Sequence, residues 1–350
     1  MIYLDHNATT PLLGEARDAM LPWLGTCANA SSAHSLGRAA AIAVDRARQQ
    51  VAELVGWPRD GVVFTSGATE ANALALTMGT WAASAVEHPS VLAWATRVLP
   101  VDEHGVVQLQ TEPGIDETDA PIYGISIQLA NNETGVLQPI SEIAASAHGR
   151  GWLLHVDAAQ APGRVGLGSL ALADLVSLSA HKLGGPQGVG ALLVRPGNDA
   201  RPILRGGPQE RGWRAGTLNV AGIVGFGVAA QRACGQVAPS GLRDKLQAAA
   251  ILLGGRVASG GADRLPNTLA VGFDGIDAAD LVVALDLAGV CASAGSACAS
   301  GSPRPSHVLR AMHFPGGAVR FSLGPATTER EVDTTILALT AALERMRAPA

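Results

Sequence analysis

Lys182 closes the run Asp174-Leu175-Val176-Ser177-Leu178-Ser179-Ala180-His181 and is followed by Leu183-Gly184-Gly185-Pro186. An amine emerging beside apolar strand residues loses proton affinity and becomes a nucleophile suited to a Schiff base, although most loop lysines are simply solvated. Asp157 ends a second apolar run, Leu154-His155-Val156. A carboxylate there suits a pyridinium nitrogen, a magnesium ion or a ribose hydroxyl equally well. Ser66-Gly67-Ala68-Thr69-Glu70 opens a helical segment directly after Val62-Val63-Phe64-Thr65. Backbone N–H groups, a hydroxyl and the positive helix end are thereby offered to an anion. The same residues also read as an ordinary N-cap by Ser66 or Thr69, and the Walker A pattern is absent. Cys298 stands among the small residues Ala292–Ser302. A thiol on such a loop tip either swings to a substrate or is a free surface thiol.

These groups need elements to hold them. Val62–Thr65, Ile122–Leu129, Trp152–Val156, Asp174–Ser179 and Gly188–Val194 read as strands, alternating with helical stretches such as Ala68–Leu76 and Ile140–Ala147. That alternation predicts a mostly parallel sheet with helices on both faces. Ligands of open α/β sheets sit beyond the carboxyl ends of the strands. Thr69, Asn132, Asp157, Gln160, Ser179, His181 and Lys182 all fall at such ends. Each alone has an ordinary account as a cap or turn former. An anion-style turn, a carboxylate and a lysine collected at one sheet edge is harder to dismiss. Beyond Cys234 the pattern changes to Ser240–Leu253 (helix), Thr268–Phe273 (strand), Ala278–Leu287 (helix), Ala318–Leu323 (strand) and a last helix from Thr328. This predicts a second, smaller α+β domain.

The bulk properties set the outer limits. The 350 residues, 47% of them hydrophobic, suffice for two domains or one large α/β domain without staples. A formal charge of −5 with no Lys/Arg-rich run argues against nucleic acid. Met1–His6 lacks a signal-peptide pattern, and no apolar run reaches the ~20 residues needed to span a bilayer, so a cytoplasmic protein without membrane contact is expected. The four cysteines form no C-x-x-C pair and suit free thiols, with Cys27, Cys234 and Cys291 expected to be small buried hydrophobes. No metal site is expected.

Across nearly its whole length the chain resembles the NifS/IscS-type cysteine desulfurases, class V aminotransferases of PLP fold type I. The similarity runs through Tyr3–Pro11, Phe64–Glu70, Asn131–Gly135, His155–Gln160, Ser179–Lys182, Glu210–Thr217, Gly295–Cys298 and Val319–Gly324. It implies a large pyridoxal 5'-phosphate-binding domain at 12–236, with a mostly parallel seven-stranded sheet. Residues 1–11 and 237–350 would form the smaller α+β domain carrying the cysteine loop. Lys182 matches the Schiff-base lysine, Asp157 the partner of the ring nitrogen, and Gln160 that of the phenolic oxygen. His88, in Glu87-His88-Pro89-Ser90, matches the histidine that stacks on the ring and assists proton transfer. Ala68, Thr69, Ser179 and His181 match phosphate binders, and Thr217 a phosphate contact given to the neighbouring subunit, which implies a homodimer with shared active sites. Asn132 and Arg320 match substrate contacts, Arg320 taking the α-carboxylate, with Asn29 assisting; Cys298 matches the persulfide carrier. The implied activity converts L-cysteine to L-alanine and passes sulfur to an acceptor protein, for iron–sulfur assembly or thiolation.

The chain departs from that pattern in places. His6 stands where relatives often have Tyr or Asn. The stretch between Met78 and His88 is shorter than in relatives, and a family-typical strand is expected to be trimmed or lost there. The chain stops soon after Arg345-Met346-Arg347, where relatives carry a longer tail that helps dock a scaffold protein. A selenocysteine lyase or other class V enzyme, and a non-catalytic binding platform of the same fold, remain alternative readings.

Overall fold

The structure is a computed structural model and describes residues 1–109, 121–295 and 306–348. In chain order the described elements are β1 (Ile2–Tyr3), α1 (Gly14–Leu24), α2 (Ser35–Val55), β2 (Val62–Thr65), α3 (Ala68–Leu76), β3 (Trp81–Ser84), α4 (Pro89–Leu92), β4 (Ala95–Leu99), β5 (Gly124–Gln128) and α5 (Ile140–Gly149). There follow β6 (Leu153–Asp157), β7 (Leu175–Ser179), β8 (Gly190–Val194), α6 (Val220–Ala233), α7 (Gly241–Leu252), β9 (Gly255–Val257) and β10 (Thr268–Phe273). The last are α8 (Ala278–Leu287), β11 (Val290–Cys291), β12 (Ser293–Ala294), α9 (His307–Ala311), β13 (Val319–Ser322) and α10 (Glu329–Arg347).

Seven strands form one sheet in the order β2-β8-β7-β6-β5-β3-β4. Only β8 runs against its neighbours β2 and β7; the other pairings are parallel. Strands β2, β3, β5, β7 and β8 are buried at every position, the mark of a sheet covered on both faces. Val62, Phe64, Leu178 and Leu193 pack on one side with Ala47 and Val51 of α2 and Phe226 of α6. The alternate residues Val63, Leu175 and Leu192 pack on the other side with Leu74 and Ala75 of α3. The period-two alternation of a strand thus feeds two helical layers.

Between Met78 and His88, where a strand was expected to be trimmed or lost, a four-residue strand is present. Trp81–Ser84 pairs in parallel with both β4 and β5. The sequence Trp-Ala-Ala-Ser carries no β-branched residue, so it had little local strand signal. Its ladder partners on both sides make the strand.

A second core gathers Leu246 of α7, Leu269, Val271 and Phe273 of β10, Leu281 and Leu285 of α8, Phe321 of β13, and Val332, Leu339 and Leu343 of α10. Its antiparallel sheet has the order β12-β13-β10-β9. The chain's first residues join this core, since β1 pairs with β11 and Leu4 is fully buried in it. Among the described residues no helix is long and apolar enough to cross a membrane. Cys27 and Cys234 are exposed and Cys291 is half-buried, contrary to the expected burial; each lies in or beside a chain reversal, where the core does not reach.

Candidate active site

The carboxyl ends of β5, β6 and β7 open onto a cavity of about 450 Å³, within the range of small-molecule sites. Its wall brings together Ala68, Thr69, His88, Asn132, Asp157, Gln160, Ser179, His181, Lys182 and Arg320. Ten residues spread from position 68 to 320 therefore meet at one sheet edge.

The Lys182 Nζ donates to the backbone carbonyls of Asn7, at 2.5 Å, and Ala8, at 2.9 Å. Asp157, at the last position of β6, is 7% exposed. Its Oδ1 accepts from Ala159 N at 3.0 Å and its Oδ2 from Asn72 Nδ2 at 2.8 Å. Gln160 Nε2 donates to the Asn7 carbonyl at 3.0 Å. On the far wall Arg320 is 1% exposed; its Nη2 pairs with Asp5 at 2.5 Å and its Nη1 donates to the Asn132 carbonyl at 3.0 Å. The buried Arg320 Nε has no acceptor, so one arm of its fork is unused.

The turn between β2 and α3 settles one local ambiguity. No side chain caps α3, whose N-cap residue is Gly67. The Ser66 N–H donates instead to Glu70 Oε2 at 2.7 Å. The first turn of the helix faces the cavity with its N–H groups uncapped by side chains, the arrangement that receives an anion. Gly190 of β8 makes room for it: a Cβ there would stand 2.6 Å from the Gly67 backbone.

The residues matched by a family model for class-V aminotransferases run from 2 to 335. The chain belongs to the class-V aminotransferase family. It is 43% identical to a cysteine desulfurase of Cereibacter sphaeroides over 99% of this chain and 97% of that one. It is 41% identical to the cysteine desulfurase NifS of Azotobacter vinelandii, over 96% and 90% of the two chains. Its fold superposes on a NifS-like protein from Rickettsia africae with a TM-score of 0.88 at 32% identity, covering 98% and 99% of the chains.

In this class-V aminotransferase His88 caps the short helix α4, and its Nδ1 accepts from Ser90 N at 3.1 Å. The proton of the neutral ring therefore sits on Nε2. Burial, with Lys182 and His307 adding, lowers its pKa against the opposing pull of Asp157. Burial, then Lys182, brings His181 down to about 4; its Nδ1 lies 3.1 Å from Thr9 Oγ1. Beside His88 the fully buried Glu87 is pushed up to about 8 by burial.

Two expected residues stand apart from the cavity. Thr217 is exposed and does not line it. Asn29 is exposed as well, and its Oδ1 closes a turn by accepting from Ser31 N at 2.9 Å. Cys298 lies outside the described residues. Sequence reasoning missed Asn72, which is fully buried and bridges Asp157 Oδ2 to Ser90 Oγ, the latter at 2.9 Å. Its signal was a lone amide one helical turn after Thr69, in the otherwise apolar run Ala71-Asn72-Ala73-Leu74. Asn7 and Gln128 also line the cavity. Asn7 offers a backbone carbonyl to it, a contribution no side-chain pattern announces.

Proposed function

We propose that the chain is a pyridoxal phosphate-dependent cysteine desulfurase that converts L-cysteine to L-alanine and passes the sulfur, as a persulfide on Cys298, to an acceptor protein of iron–sulfur assembly or thiolation. The observation that carries this is the shared cavity in which Lys182, Asp157 and Arg320 stand on different walls. The donor set fits the cofactor. The uncapped start of α3 with Ala68 and Thr69, the Ser179 hydroxyl and the His181 imidazole suit its phosphate. When bound, pyridoxal phosphate supplies an aldehyde for Lys182 and a ring that accepts electrons.

The protein's own groups do the rest. Asp157, held at both oxygens, would keep a proton on the ring nitrogen. Gln160 would offer Nε2 to the phenolic oxygen, and His88, with its proton on Nε2, would lie against the ring. Arg320 takes the substrate α-carboxylate with its unused donor edge, beside Asn132. The neutral Lys182 amine takes the α-proton of cysteine. The Cys298 thiolate attacks the substrate sulfur, the C–S bond breaks, and alanine is left after protonation. Asn29, which does not line the cavity, assists substrate binding in this reading.

The working unit is a homodimer in which Thr217 of the partner subunit completes each phosphate site; the exposure of Thr217 is consistent with that use. Each chain has a cofactor-binding unit at 12–236 and a smaller one of 1–11 with 237–350; the core around Leu4, Leu269 and Phe321 supports the smaller unit, while Val308 of α9 and the adjoining Met312 pack into the core of the large sheet. A reducing cytoplasmic setting suits the free thiols Cys27, Cys234 and Cys291. Purified protein loaded with pyridoxal phosphate is expected to absorb in the visible range and, with a thiol reductant present to cleave the persulfide, to yield alanine and sulfide from cysteine. A Cys298→Ala variant that releases sulfide as fast as the parent would remove the carrier role. Turnover of selenocysteine without sulfur transfer from cysteine would make the enzyme a lyase instead.

A further inference from the structure

Arg164 lies directly behind the cavity wall and is 6% exposed. All the oxygens it reaches are neutral. Nη1 donates to Asn7 Oδ1 at 2.9 Å, to the Gln160 carbonyl at 3.2 Å and, closely, to Gln160 Oε1. Nη2 donates to the carbonyls of His6, at 3.1 Å, and Lys182, at 3.3 Å. Among the described residues it makes no ion pair. A buried cation without a nearby acid is costly, and proteins ordinarily pair it. Here the nearest charges add to the imbalance: Arg320 presses on it, and burial followed by that repulsion brings the guanidinium down to about 9. It remains a cation at neutral pH.

We propose that Arg164 is a positioning residue of the cofactor site, turning Gln160 so that its amide nitrogen faces the cavity and holding a positive charge that favours the neutral amine of Lys182. The inference rests on the function proposed above. A guanidinium only donates, so the amide atom beside it must be oxygen, which leaves Nε2 for the Asn7 carbonyl and for a ligand. The charge has the matching use. A phosphate and a phenolic oxygen arriving in the cavity bring the negative charge that Arg164 lacks. Among the described residues, the ionisable groups that line the cavity with Lys182 are Asp157 from β6, His88 from α4, Arg320 from β13 and His181 on its own segment, with Arg164 behind it. Asp157 is the one acid in that described set.

The test uses the pyridoxal phosphate-loaded protein and follows its visible band as a function of pH. Arg164→Met removes the charge and is expected to move the midpoint of that titration upward by about one pH unit. Arg164→Lys keeps the charge but loses the fork, so the midpoint should stay near that of the parent while cofactor dissociates more readily. Asn7→Asp supplies the missing carboxylate 2.9 Å from Nη1 and should move the midpoint upward like Arg164→Met; it carries the test if the methionine variant does not fold. Gln160→Leu should weaken cofactor binding less in the Arg164→Met background than in the parent. A parent band whose midpoint ignores both Arg164→Met and Asn7→Asp overturns the role of Arg164 alone. A parent that develops no visible band overturns the function on which it rests.

Discussion

Asp157 illustrates how a single side chain is readied for one task. Its two oxygens are fixed by the Ala159 N–H and by the Asn72 amide, and that amide also engages Ser90 next to His88. Asn72→Ala leaves Oδ2 without its donor, a loss on the scale of about 1–1.5 kcal/mol. We expect roughly tenfold lower kcat/KM with cysteine, in a protein whose melting curve shows it folded. Glu87 gives a prediction of opposite character. Its folded pKa of about 8 lies above the unfolded carboxylate value, so the folded state holds a proton that the unfolded state releases. Its contribution to stability is complete below about pH 4.5 and is lost as the pH rises towards 8. Glu87→Gln mimics the protonated group, keeping an acceptor for Ser84 Oγ and the Gln128 N–H. In urea unfolding the variant should match the parent near pH 5 and exceed it by about 3–4 kcal/mol at pH 8.

Among the elements, the turn from β2 into α3 is held from below and from the side. Glu210 sits at a positive φ of 45°, followed by Arg211 at 60°, a conformation side chains rarely adopt. Its carboxylate is clamped by Arg48, at 2.6 and 2.9 Å, and by the Phe64 N–H at 2.7 Å. Arg214 pairs in turn with Glu70, the residue that receives the Ser66 N–H. The segment leading to Thr217 is thus tied to the same chain's turn between β2 and α3. Gly190 sets how close β8 comes to that turn. Gly190→Ala would press a methyl group against the Gly67 backbone. The expected outcome is at least tenfold weaker pyridoxal phosphate binding in an absorbance titration, with an overpacking cost of about 1–3 kcal/mol in thermal unfolding.

At the scale of the whole molecule, buried histidines shape the acid limit. His155, fully buried between Ser126 and Ser177, the buried His6 and the half-buried His181 are each brought to about 4, by burial above all. Their folded values lie below the unfolded one, so the unfolded chain takes up protons first. The stability they contribute is present above about pH 6.5 and drains away as the pH falls towards 4. They outnumber Glu87 and Glu133, whose raised values act in the other sense. Melting temperature measured against pH should therefore fall from 6.5 to 4.5. The proposed dimer gives a separate test. Lys182→Ala and Thr217→Ala chains, each impaired alone, should regain about a quarter of parental activity when unfolded together and reassociated, because one site of each mixed dimer is intact. No recovery would mean that Thr217 serves its own chain or no site.

The alternation of strand and helix and the placing of Asp157, Ser179 and Lys182 at strand ends were legible in the sequence, because each follows from local periodicity and punctuation. The strand at Trp81–Ser84 was not, because its neighbours rather than its own residues make it. Nor could spacing reveal that Asn72 steadies Asp157, that the Asn7 carbonyl receives both Lys182 and Gln160, or that Arg164 is buried with no ion pair among the described residues. Those facts join positions far apart along the chain. Local sequence fixes which groups exist and on which element they ride; the distances and dielectric that set their charge arise only when separate elements close over one another.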